Sequence, residues 1–281
     1  MQYEEYTARR QAFRQHLTEE EKSRSTVEKY LRDVDHFLTF LFQRTDGVTK
    51  AGTVAYKEHL QSRYAASSAN SMLTAANLFL QFIGRGDCCV RLLKTQRRLF
   101  REESRELTRP EYRRLVEAAR RKKDERLVLV IETICATGIR VSELACITAE
   151  AVRRGTAEIR CKGKRRMVFL PESLRKLLRE YIRQKGITEG SVFRTRTGRP
   201  MDRSNIWHAM KALSREAGVA EEKVYPHNLR HLFARTFYQQ EKDIIRLADI
   251  LGHGSVETTR IYTISSGAEH ARQVERLGLV V

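Results

Sequence analysis

Apolar residues at three- and four-residue spacing run through most of this chain, and that period admits helices while excluding most sheet architectures. Val27, Tyr30, Leu31, Val34, Phe37, Leu38, Leu41 and Phe42 fall on one face of a long helix. Ser25 and Glu28 have the S-x-x-E spacing of a capping box at its start. A further helix is predicted over about 52–64, and another through Met72, Leu73, Ala76, Phe79, Leu80 and Ile83, with Gly84 placed to stop it. Residues 1–90 are therefore expected to form a helical bundle whose stripes face a core.

A second block starts at Leu107, where Thr108 and Glu111 form another capping box with Pro110 in the first turn. Helices are predicted at about 109–122 and 125–137, the second ended by Gly138, with a short one at 140–147. Residues 157–161 and 166–170 alternate as two short strands around the turn Lys162-Gly163-Lys164-Arg165. Helices resume at about 171–185, 203–217, 227–240, 243–251 and 255–262, and an amphipathic segment over 267–277 ends the block. The expected fold class is mainly α with one small antiparallel β-sheet. The expected domains are 1–90 and 106–281, joined by a basic segment, 91–105.

Charge narrows the partner. Lys and Arg number 53 against 35 Asp and Glu, a net charge of +18. Such an excess favours a polyanion, nucleic acid above all. In the joining segment, Arg91, Lys94, Arg97, Arg98, Arg101 and Arg105 suit a stretch lying along a DNA backbone, although a solvated linker has the same composition. No run of about 18 apolar residues suggests a membrane span, and the start, MQYEEYTARR, lacks an apolar signal core. A cytoplasmic location is expected, with no membrane partner. The five cysteines are odd in number and form no C-x-x-C pair, as expected of free thiols in a reducing compartment.

Four segments carry chemistry: TGIRVSEL (137–144), CKGKRR (161–166), HNLRH (227–231) and LGHGSVETTRIYT (251–263). They gather Arg140, Lys162, His227, Arg230, His253 and Tyr262 with no associated carboxylate cluster. That set argues against two-metal phosphoryl transfer and against a glycosidase pair; neither a metal nor another cofactor is expected. It suits a phosphodiester under attack. Two forked guanidiniums can hold the equatorial oxygens. A tyrosine, weak at its ordinary pKa near 10, can attack if an imidazole takes its proton. A lysine can protonate the leaving alkoxide. Singly, each residue has a plainer reading: a solvated arginine, a helix-end histidine, a half-buried tyrosine. Trp207 and His208 read as packing or surface residues, and His231 as either packed or supporting the site.

In order and spacing these segments resemble the tyrosine recombinase, or phage-type integrase, family in its compact two-domain, Xer-like form. Arg230 and His253 stand 23 positions apart, and His253 and Tyr262 nine. The resemblance covers residues 105–265, and the first block is similar in kind to the family's helical, SAM-like core-binding domain. It implies a site-specific recombinase or integrase acting without metal or ATP. Arg140 and Arg230 would bind the scissile phosphate, and Lys162 would be the general acid. His227 would help Tyr262 lose its proton, His253 would hydrogen-bond a phosphoryl oxygen, and Tyr262 would form a 3′-phosphotyrosyl link. Glu143 would orient an active-site cation or His227. Lys164 and Arg165 would join the basic segment in contacting DNA. Cys161 stands where the family often has glycine, which leaves Lys164 open as the acid instead of Lys162. The implied partners are double-stranded DNA, a tetramer on paired sites with each C-terminal tail docked in trans, and an accessory directionality factor. A DNA-binding module without chemistry and a type IB topoisomerase are the competing readings.

Overall fold

The computed structural model describes residues 3–44, 47–95, 103–161, 164–262, 271–272 and 274–279. The chain divides into two compact units, Met1–Arg97 and Arg98–Val281, each with its own apolar core.

The first unit holds helices α1 (Tyr3–Glu19), α2 (Arg24–Arg44), α3 (Lys50–Arg63) and α4 (Ala66–Phe82). The stripe expected on α2 buries Val27, Leu31, Val34, Phe37, Leu38 and Leu41, while Tyr30 and Phe42 pack at its margin. The start of α2 differs from expectation. Arg24 is already helical, so Ser23 occupies the cap, its Oγ accepting from the Thr26 N–H at 3.3 Å. Glu28 instead pairs with Arg24 at 3.0 Å. Thr49 caps α3 by accepting from Gly52 N–H at 3.0 Å, which starts that helix earlier than its apolar pattern suggested. In the core, Phe13 meets Phe79 edge-on, centroids 5.2 Å apart. Gly84, at φ +76°, comes just after the end of α4 as expected.

Two asparagines on α4 tie down the extended segment after that helix. Asn77 donates to Val90 O at 2.8 Å and accepts from Val90 N–H at 3.0 Å. Two turns earlier, Asn70 does the same for Leu93, at 2.9 and 2.7 Å. Each amide thus acts as one rung of a strand ladder. Arg91 and Lys94 stay exposed beside these rungs, whereas Arg97, Arg98 and Arg101 lie outside the described residues.

The second unit opens with α5 (Arg109–Arg121), where Thr108 and Glu111 form the expected capping box with Pro110. Next come α6 (Glu125–Thr137), a 3-10 turn (Val141–Cys146), α7 (Ala149–Arg154) and the hairpin β1 (Thr156–Cys161) and β2 (Lys164–Phe169). After the hairpin come α8 (Glu172–Gln184), α9 (Arg203–Lys211), α10 (Ser214–Ala217), α11 (Pro226–Glu241), α12 (Ile244–Leu251), α13 (Val256–Thr259) and a 3-10 turn, Arg260–Tyr262. Helix α6 is apolar nearly all round and runs through the core, against α5, α8, α9 and α11. The helix expected over 203–217 is broken where the Ser214 hydroxyl donates to Lys211 O at 2.9 Å, competing with the backbone ladder. In the hairpin, Cys161 pairs with Lys164, so Lys164 and Arg165 belong to β2 rather than to a four-residue turn. Among the described residues no helix is long and apolar enough to cross a membrane.

Candidate active site

Three helix ends build the site. Helix α6 stops at Gly138 in the left-handed region, φ +65°. A Cβ there would collide with Phe233 on α11, so the backbone can pass this close only as glycine. Arg140 comes two residues later and starts the 3-10 turn. Pro226 starts α11, setting His227, Arg230 and His231 within its first two turns. Helix α12 ends at Gly252, φ +64°, and delivers His253.

Arg230 is the pivot. It is 1% exposed, unusual for a charge. Its Nη1 donates to Gly138 O, and its Nη2 donates to Leu251 O at 2.7 Å and lies 3.0 Å from His253 Nε2. Its buried Nε has no hydrogen-bond partner among the described residues. Burial, then the nearby Arg140, pull its pKa down to about 10, which leaves it charged at neutral pH.

Arginine only donates, so Nε2 of His253 must accept. Its proton then sits on Nδ1, which lies 2.8 Å from Thr259 Oγ1 and donates to it. Burial, with Arg230, Arg140 and Arg166 after it, lowers this imidazole to about 4, so it is neutral at pH 7. The Tyr262 ring is buried between two imidazoles. His253 stacks on it at 6.1 Å and 14°, and His231 meets it edge-on at 5.1 Å. His231 in turn touches His227, ring to ring at 4.7 Å. Burial raises the phenol pKa, and the Arg230, Arg140 and Arg235 cations oppose that rise. His227 is exposed at the surface, yet neighbouring protein, then Arg230, Arg140 and Arg203, hold its pKa below the ordinary value.

Glu143 organises the cations. It is 5% exposed and accepts from the Arg140 N–H at 2.8 Å and from Arg140 Nη1 at 3.0 Å. It also takes a forked pair of bonds from Arg166, at 2.9 and 2.7 Å. Arg140 further donates to Leu251 O and Gly252 O, both at 3.4 Å. Arg166 donates to Ile250 O at 3.2 Å, fastening β2 to the end of α12. Its role was readable from strand alternation, which puts Arg166 on the inward face with Val168; an inward charge requires a partner. Thr259, which orients His253, had no comparable signal.

Of the residues expected here, Arg140, Glu143, His227, Arg230, His253 and Tyr262 come together, joined by His231 and Arg166. Arg165 is exposed, 3.9 Å from Glu158. Lys162 and the Lys164 side chain lie outside the described residues. Two guanidiniums thus stand beside a buried phenol that has an imidazole on each side, and forked guanidiniums are donors suited to the oxygens of a tetrahedral oxyanion.

Known proteins carry both units in the same order along the chain. Residues 105–269 match the phage integrase family, and residues 11–85 match the phage integrase N-terminal SAM-like domain. Tyrosine recombinase XerC of Roseiflexus castenholzii is 30% identical, covering 95% of this chain and 93% of that protein. Tyrosine recombinase XerA of Pyrococcus furiosus is 27% identical, with coverage of 95% and 93%. A crystal structure of a XerA recombinase aligns over 98% of each chain at 28% identity, TM-score 0.54. A lambda integrase dimer bound to a core site shares the fold, with TM-score 0.72, 17% identity and coverage of 94% and 96%. With both units matched and the site assembled, the chain belongs to the phage integrase family of tyrosine recombinases and is a site-specific DNA recombinase.

Proposed function

We propose that this recombinase cuts and rejoins DNA through a 3′-phosphotyrosyl link at Tyr262, in the integration or excision of a mobile element or in Xer-like resolution. The observation that supports this best is the convergence of Arg230, His253 and Tyr262 at one point, with Arg140 oriented toward it by Glu143. Arg140 and Arg230 take the two non-bridging oxygens of the scissile phosphate. His227 accepts the phenol proton, and the phenolate oxygen attacks phosphorus. The bond from phosphorus to the 5′ oxygen breaks, and Lys162 gives that oxygen its proton. A 5′-hydroxyl from a second strand then reverses these steps. The link conserves the phosphoester, so rejoining needs no ATP, and the two guanidiniums supply the charge stabilisation that a metal ion would otherwise give.

His253 must change roles. Without DNA its Nε2 accepts from Arg230; toward a phosphoryl oxygen it must donate. DNA binding therefore moves or adds a proton on this imidazole, and the phosphate's negative charge favours that.

The unit formed by residues 1–90 is assigned to DNA binding and residues 106–281 to catalysis, with Arg91, Lys94, Arg97, Arg98, Arg101, Lys164 and Arg165 on the phosphate backbone. Several solved relatives are recombinases bound to DNA as dimers or tetramers, which supports a tetramer on paired sites; exchange of the C-terminal tails between protomers would link its members. Removing residues 266–281 is then expected to weaken pairing of sites more than binding of one site. The central test is trapping on a nicked suicide duplex. Wild type is expected to give a covalent adduct that persists in EDTA, and Tyr262→Phe to bind equally but give none. An adduct with the phenylalanine variant would move the nucleophile elsewhere.

A further inference from the structure

Beside the clamp formed by Arg140 and Arg230 lies a recess of about 500 Å³. Arg140, His227 and Arg230 line it together with Arg203 and Trp207. The volume falls within the roughly 300–1,000 Å³ of clefts that hold small organic groups.

Trp207 is not needed for the core. Helix α9 buries Ile206 and Met210, whereas Trp207 is 39% exposed. Its orientation is nevertheless set by neighbours. The His208 ring meets it edge-on at 4.8 Å, and the Lys211 ammonium sits 5.4 Å from its centroid, one turn on. Arg203 lies one turn earlier and acts electrostatically on His227. Among the described residues Arg203 has no carboxylate partner. An indole left open to water, with Arg203 one turn before it and Lys211, itself 3.8 Å from the Glu221 carboxylate, one turn after it, is poor packing but a good wall for part of a polyanion.

A phosphate held by Arg140 and Arg230 carries a nucleoside on each side. The recess is contiguous with the clamp, so the adjoining nucleoside has an apolar surface to meet there. We propose that Trp207 forms a nucleoside subsite, packing against the sugar or base next to the scissile phosphate and thereby fixing that phosphate's position. The proposal rests on the assignment of Arg140 and Arg230 as the phosphate clamp.

The test combines Trp207 variants with altered DNA. In suicide duplexes, the nucleotide immediately 5′ or 3′ of the cleaved bond is replaced by a propanediol spacer, which lacks sugar and base. A second set carries an abasic residue, which lacks only the base. On intact DNA, Trp207→Ala is expected to slow adduct formation at saturating DNA on the order of tenfold, the usual effect of removing one aromatic–base contact. Trp207→Phe is expected to recover most of that rate. At one of the two positions the spacer should cost wild type the same factor and cost Trp207→Ala nothing more. Coupling to the spacer alone identifies the sugar as the contact, and coupling to the abasic site as well identifies the base. Equal losses for both proteins at both positions, or no slowing by Trp207→Ala on intact DNA, would overturn the subsite. Affinities for the same duplexes are measured in parallel and need no adduct. Wild type failing to form an adduct would therefore remove the strand-cleavage reading while the subsite is still judged by coupling in binding.

Discussion

At the scale of single residues, the site is a balance of buried charges. Glu143 feels burial, which alone would raise its pKa, but the Arg166 bonds and then the Arg140 N–H outweigh that and hold it below the usual range. Its folded pKa is depressed, so its contribution to stability is present above the unfolded value of about 4.3 and disappears as pH falls through the folded value. Glu143→Ala leaves two arginines facing each other with no carboxylate, a loss of about 3 kcal/mol in urea unfolding by analogy with other broken buried pairs. The histidines respond at higher pH. His231 is held down to about 3 by burial and then by His227, and its buried Nε2 has no partner among the described residues. Between about pH 6.5 and that value the unfolded chain takes a proton that the folded chain refuses, so stability falls as pH falls. The urea midpoint is expected to drop from pH 7 to pH 5, and His231→Phe to flatten that drop. An unchanged slope would mean that another group dominates. That Arg140, His227, Arg230, His253 and Tyr262 would meet was legible in the sequence, because each sits in a segment with its own spacing and a shared chemical reading. Strand alternation marks Arg166 as an inward charge in need of a partner, but its choice of Glu143 and the placement of His231 against Tyr262 were not legible, because both are contacts between segments far apart in the chain.

At the scale of elements, helices announced themselves by period, but their ends were set by the caps. Ser23 and Thr49 decide where α2 and α3 begin, and neither belongs to the apolar pattern. The asparagine ladder from α4 left no periodic trace, since a side-chain amide bonded to a distant backbone looks like any polar residue on a helix. Asn70→Ala and Asn77→Ala each remove two such bonds and are expected to cost on the order of 1–3 kcal/mol, read by thermal unfolding. Gly138 shows how an element end serves the site. Its left-handed backbone turns its carbonyl to Arg230. Gly138→Ala adds the left-handed penalty of about 1–2 kcal/mol and drives a methyl into Phe233. A lowered melting temperature together with slower adduct formation is expected. Loss of stability with an unchanged rate would separate the turn from the placement of Arg230.

At the scale of the whole molecule, the excess of cations has to be divided between positioning DNA and reacting with it. The two kinds of charge sit in different surroundings. Arg230 is buried and Arg140 is held by Glu143, so neither is spare for loose contact with DNA. Arg91 and Lys94 are exposed on a segment pinned by Asn70 and Asn77. A backbone contact of that kind releases counterions and is worth about 0.9 in the slope of log affinity against log salt. Replacing Arg97 and Arg98 with glutamine is expected to make that slope shallower by up to about 2, and adding Arg91 and Lys94 to nearly double the change. If these cations serve only to hold the DNA backbone, the adduct rate at saturating DNA should stay the same. A slope unmoved by all four substitutions would leave the segment merely solvated. A lowered rate at saturation would mean instead that the segment helps hold the scissile phosphate in place for Tyr262.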